Sequence, residues 1–192
     1  MQEEVDLQPR SETPNCATES AIHAAQIARE MLQSGVPGDK ILALLVDAAE
    51  AVAGDSAVCS ILALDGDGLL RNAASPKLPA DYLAAIDRLK PNPAVGTCAA
   101  AAATGSIVVT CDFQADDKWA ELRHLPMSLG FVGAWSMPIK DSNGGVLGTL
   151  GTYFRERRSP TPEEVEGVEI LAAAAGLVLE RYGIGEELEK IA

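Results

Sequence analysis

Two strand-length apolar segments, 132–139 and 146–154, flank Asp141-Ser142-Asn143-Gly144-Gly145, a run of residues that reverse the chain readily. The pair reads as an antiparallel hairpin, and a strong helix signal follows it. Ser159-Pro160-Thr161-Pro162-Glu163-Glu164 supplies an N-cap candidate, a first-turn proline and acids that suit the positive end of a helix dipole. The helix is expected to run to about Arg181. Val165, Val168, Leu171, Ala175 and Val178 line one face, while Ile170, Leu177 and Leu179 widen that face or create a second.

The rest of the chain repeats this mixture of helix and strand. Residues 18–33 place Ile22, Ala25, Ala28 and Leu32 at helical spacing, and Asp39 to Ala53 does the same with Ile41, Leu44, Leu45, Ala48 and Val52. Ala57 to Leu64 and Leu69 to Ala74 are strands joined by Asp65-Gly66-Asp67-Gly68. A short helix opens at Pro79 and another follows Val95-Gly96-Thr97-Cys98, ending at Gly105. A strand is predicted at Ile107 to Thr110 and a helix over Asp117 to Leu129. With aromatics at 4 % and alanine abundant, the core is built from Ala, Val, Leu and Ile, which suits a mixed α and β fold.

Charge excludes several partners. The 28 acidic residues against 15 Lys and Arg give a net charge of −13, which repels nucleic acid and anionic lipid alike. No segment approaches the roughly 18 uninterrupted apolar residues of a membrane span. The acidic start carries no signal-peptide pattern, so a cytoplasmic protein is expected. Cys16, Cys59, Cys98 and Cys111 are scattered, with neither a paired motif nor zinc-ligand spacing, and read as free thiols. His23 and His124 are too few and too far apart for most metal sites; no cofactor and no metal site is expected.

The order of these elements, and three segments in particular, resemble the GAF domain family. The segments are Ala74-Ser75-Pro76-Lys77-Leu78-Pro79-Ala80-Asp81-Tyr82; Val95-Gly96-Thr97-Cys98-Ala99-Ala100-Ala101; and Ala134-Trp135-Ser136-Met137-Pro138-Ile139, followed by Gly148-Thr149 and Tyr153. The likeness spans about residues 42–182. It implies an α+β fold (an α/β sandwich): an antiparallel sheet of about six strands, helices on one face and a ligand pocket on the other. The expected layout is an acidic, disordered tail over 1–16, a helix over 17–36, the GAF unit over 37–183 and a tail over 184–192. Members of this family are mostly sensors, and stand-alone nitrate-receptor proteins among them associate with a sensor histidine kinase. The resemblance therefore implies a small-molecule sensor, not an enzyme, whose signal passes to a partner of that kind. A last helix apolar on more than one side suits either a homodimer through the terminal helices or packing within one subunit.

The expected ligand site centres on Gly96-Thr97-Cys98. A helix starting there points unpaired amides and partial positive charge at what precedes it, a place for a small anion without lysine or arginine or, if Thr97 simply caps the helix, for a water; nitrate is the anion that the resemblance implies. Gly96 permits close approach, Thr97 caps the helix or offers its hydroxyl, and Cys98, Ala99 and Ala100 contribute amides. Trp135 and Ser136 sit on one strand, where alternation sends only one of them to the pocket; Trp135 is either a cavity wall or a core aromatic. Trp119 either packs or covers the ligand, and Tyr153 is similarly open. A thiol-based redox sensor or a free methionine sulfoxide reductase-like enzyme using Cys98, with Cys111 nearby in sequence, is the alternative. The reductases' second cysteine segment has no counterpart over 119–130. A dimeric adaptor with a filled pocket is the third reading.

Overall fold

The computed structural model describes residues 16–182. Of the tails expected over 1–16 and 184–192, all but Cys16, which opens a helix, lie outside the described residues. Helices α1 (Cys16–Gln33) and α2 (Gly38–Ala53) lead into strands β1 (Val58–Leu64) and β2 (Leu70–Ala74). Short helices α3 (Ala80–Ala85) and α4 (Cys98–Thr104) precede β3 (Val108–Thr110). A 3-10 turn at Asp117–Trp119 and α5 (His124–Ser128) lead to β4 (Gly133–Lys140), β5 (Val146–Phe154) and α6 (Pro162–Tyr182).

Among the described residues the strands form one antiparallel sheet in the order β2-β1-β5-β4-β3, five strands where about six were expected. Long helices cover one face. Cys59, Ile61, Trp135, Met137, Ile139 and Leu150 point from the sheet into a core shared with α1, α2 and α6. The opposite face carries Val58, Leu62, Ala134 and Tyr153, packed against Leu78, Tyr82, Ile86, Phe113 and Trp119 from the short elements. The side-chain period of two along each strand thus builds two cores on either side of one sheet.

Local chemistry sets the element ends. The cap of α6 is Thr161: its hydroxyl accepts from the Glu164 N–H at 3.2 Å, while the Thr161 N–H donates to Glu164 Oε2 at 2.7 Å, a reciprocal capping box. Arg158 grips the same carboxylate with Nη1 and Nη2 at 2.7 and 2.8 Å and stacks over the Phe154 ring at 3.7 Å, fixing the exit of β5. The Cys59 N–H donates to Glu50 Oε1 at 3.1 Å, and Lys77 pairs with the other oxygen at 2.7 Å, tying α2 to the start of β1. The single helix expected over 117–129 is divided. Pro126 sits inside it, and a proline interior to a helix lacks the amide and crowds the carbonyl four residues earlier, so the ladder restarts at His124.

Candidate functional site

A small cavity of about 20 Å³ lies on the face of the sheet away from the long helices. Its walls are Leu62 and Tyr153 from the sheet, Tyr82, Ile86 and Leu89 beside α3, Gly96, Thr97 and Cys98 at the start of α4, Trp119, and Leu122, Leu125 and Pro126 around α5. That volume is about the room needed by one water. Its lining contains no lysine, arginine, histidine or carboxylate.

Five of the expected site residues, Gly96, Thr97, Cys98, Trp119 and Tyr153, meet at this cavity. Gly96 takes φ +51°, a left-handed conformation that suits glycine, and a Cβ there would lie 3.7 Å from the Trp119 ring. The Gly96 N–H donates to the Lys118 carbonyl at 2.8 Å, so the glycine turn and the tryptophan are fastened together. Trp119 is 5 % exposed; its Nε1–H donates to Thr110 Oγ1 at 3.2 Å, and that hydroxyl donates to Asp116 Oδ2 at 2.6 Å. Its ring meets Phe113 at 4.3 Å between centroids. Trp119 is a buried cover over the glycine turn rather than a surface residue.

Thr97 does not cap α4 with its side chain. It has helical dihedrals, its carbonyl accepts the Ala101 N–H at 2.8 Å, and its Oγ1 instead accepts from Ser136 Oγ at 2.9 Å. Cys98 Sγ lies 3.2 Å from Ser136 Oγ. Ser136 is therefore the strand residue that reaches the α4 start, from beneath the cavity. Ala99 and Ala100 are buried in α4 without lining the cavity. Trp135, expected as a candidate wall, faces the other way: it is fully buried in the core beneath α1, α2 and α6. The alternation of β4 that brings Ser136 to Thr97 sends Trp135 to the opposite face, which removes it from this site.

Sequence reasoning missed two further hydroxyls, Ser60 on β1 and Thr149 on β5. Both are completely buried, and neither oxygen completes a hydrogen bond. Register locates them: Ser60 and Ser136 both pair with Gly151, and Thr149 lies two residues before it on β5, so all share the face of Ser136. Leu62 on β1, Tyr82 on α3 and the residues around α5 were missed because single apolar side chains in a strand or a short helix carry no distinctive pattern.

The titratable groups here are neutral. Burial pushes the Cys98 thiol above its ordinary value, against the opposing hydroxyls of Ser136, Thr149 and Thr97. Burial also raises Tyr82 and Tyr153, whose hydroxyls are joined at 2.9 Å. A reactive cysteine sits in an exposed, electropositive setting, which Cys98 lacks. Cys111 is exposed, with its sulfur 3.1 Å from Ser159 Oγ, so the two thiols have separate partners and are not brought together. Among the described residues no cluster of metal-ligating side chains occurs, and no helix is long and apolar enough to cross a membrane.

Residues 39–180, which span the sheet and the cavity walls, match a known family model, that of the GAF domain. The chain belongs to the GAF domain family. It is 32 % identical over 162 residues, 84 % of its length, to the methyl sulfide methyltransferase-associated sensor of Methanosarcina acetivorans. Those residues make up 16 % of that relative, so the chain spans about one sixth of it. Among solved structures it is similar to the GAF domain of a phosphoenolpyruvate-protein phosphotransferase from Coxiella burnetii, with TM-score 0.71, 17 % identity, and coverage of 90 % of this chain and 99 % of that one. It is also similar to the free methionine-R-sulfoxide reductase of Neisseria meningitidis, with TM-score 0.66, 17 % identity, and coverage of 90 % and 93 %. The family match and these structures establish a GAF fold.

Proposed function

We propose that this GAF protein is a cytoplasmic sensor that admits a small ligand, an anion such as nitrate, beneath Trp119 and modulates a signalling partner such as a sensor histidine kinase. The observation that carries the reading is the small, largely apolar cavity at the Gly96-Thr97-Cys98 turn, which holds only uncharged polar groups and is covered by a tryptophan tied to the same turn. A weakly hydrated, singly charged ion is the anion that such a site tolerates, because hydroxyl and amide dipoles are its sole compensation. Nitrate is larger than the cavity, so its entry moves a wall. Movement of Trp119 or α4 is how occupancy becomes a signal.

The route outward runs through α1 and α6. An open apolar groove of about 390 Å³ lies between them, lined by Ala25, Ala28, Arg29, Leu32, Ile170, Ala173, Ala174, Leu177 and Val178. Ile22 and Leu177 stand beside or in it at 39 % and 40 % exposed, a face suited to a second copy or to the partner. A thermal-shift titration with nitrate, nitrite and chloride at matched ionic strength tests the ligand. A saturable rise in Tm with nitrate supports the proposal through mass action, and its absence on folded, ligand-free protein removes it.

The cavity volume favours a second reading. At about 20 Å³ it holds a water rather than a ligand, as expected of an adaptor that works through its terminal helices alone. An adaptor binds its partner equally with and without added ligand.

A further inference from the structure

Beneath the start of α4, the inward face of the sheet carries Ser60, Ser136 and Thr149, all completely buried, around Gly151. Buried hydroxyls are nearly always paired, yet Ser60 Oγ and Thr149 Oγ1, which face the Tyr153 hydroxyl and the Cys98 thiol, complete no hydrogen bond of good geometry. Cys98 separates this floor from the cavity. It lines the cavity on one side, and on the other its sulfur fills the space over Gly151, where a Cβ would come within 2.9 Å of Sγ and 3.3 Å of Ser60 Oγ. The thiol meets Ser136 Oγ at 3.2 Å and also faces the hydroxyls of Thr149 and Thr97.

We infer that Cys98 is a movable plug over a hydroxyl floor, and that Ser60, Ser136 and Thr149 recognise the acceptor oxygens of a small, singly charged oxoanion once the plug turns aside. The inference rests on the reading of the cavity as a ligand site and deepens it. Two unpaired hydroxyls weaken the free protein, and a chain that needed only packing here is better served by alanine and valine. A ligand with several acceptor oxygens supplies the missing partners. The floor holds no cation, so multiply charged anions such as phosphate are excluded by desolvation. A single-atom acceptor such as chloride cannot reach separated hydroxyls at once.

The test compares wild type, Thr149→Val, Thr149→Ser, Ser60→Ala and Cys98→Ala for Tm without ligand and for nitrate affinity by calorimetry, with chloride and phosphate as controls. Expected are ligand-free Tm values for Thr149→Val and Ser60→Ala at or above wild type, together with about tenfold weaker nitrate binding in each. Thr149→Ser keeps wild-type affinity, and Cys98→Ala, which joins cavity to floor, binds more tightly. Nitrate binding that is equal in wild type, Thr149→Val and Ser60→Ala overturns the inference and leaves the cavity reading standing. A ligand-free Tm several degrees lower in both variants, with affinity restored by no hydroxyl-bearing replacement, overturns it too. No nitrate binding by wild type removes the inference and the proposed ligand together.

Discussion

The sulfur of Cys98 occupies the space that a side chain on Gly151 would need: a Cβ built on that glycine comes within 2.9 Å of Sγ. This contact couples the first residue of α4 to the middle of β5. It is also the point where the cavity meets the buried hydroxyls of the sheet.

Gly151→Ala is therefore expected to cost about 1–3 kcal/mol by overpacking. Cys98→Ala removes the sulfur that the new methyl would strike, so the double variant recovers most of that loss. Urea unfolding of the wild type, both single variants and the double variant closes the cycle. Additive losses contradict a direct contact.

Trp135 is predicted to be structural. Its Nε1–H is buried without an acceptor among α1, α2 and α6. Trp135→Phe removes that unpaired donor along with part of the ring, so its cost is about 1–2 kcal/mol, below the about 3–5 of truncation to alanine. Its nitrate response stays at the wild-type level. A lost response with an intact fold would place Trp135 in signal transmission.

The contrast between Trp135 and Ser136 shows what the sequence makes legible. The β4–β5 hairpin, the capping signal ahead of α6 and the apolar faces of α1 and α2 are local patterns, and the elements form where those patterns place them. Which of two neighbouring strand residues faces the cavity depends instead on which side the long helices cover, a tertiary fact. Ser60 and Thr149 were invisible for the same reason. A hydroxyl in a strand is ordinary until pairing with Gly151 places it under α4. The expected helix over 117–129 failed on a local signal, Pro126, whose breaking effect exceeded the apolar periodicity around it.

Alkaline pH is expected to destabilise the protein. Burial raises the Cys59 thiol to about 12, and raises Cys98, Tyr82 and Tyr153 as well. In the unfolded chain these groups ionise near 9.0 for thiols and 10.0 for phenols, while the native state keeps their protons. The unfolded state then binds fewer protons, so the stabilisation is full below pH 9.0 and is lost as pH climbs towards the folded values. Each ionising group contributes a slope of about 1.4 kcal/mol per pH unit. Urea midpoints measured from neutrality to about pH 11 check this. Cys59→Ala should flatten the profile, and a wild-type profile already flat contradicts it.

Leu177→Glu probes the outer groove. Leu177 is 40 % exposed and lines the space between α1 and α6, so a charge there leaves the fold intact. If this face joins two copies, wild type sediments as a dimer and the variant as a monomer of unchanged Tm. A wild-type monomer assigns the groove to another partner.

The central claim is that a small ligand enters at the Gly96-Thr97-Cys98 turn beneath Trp119. Amide NMR shifts followed during a nitrate titration test it most directly. The account predicts saturable shifts at Gly96 to Ala100, with the Trp119 indole N–H moving in parallel and chloride producing neither. Unchanged resonances at these positions, or shifts confined to α1 and α6, contradict it.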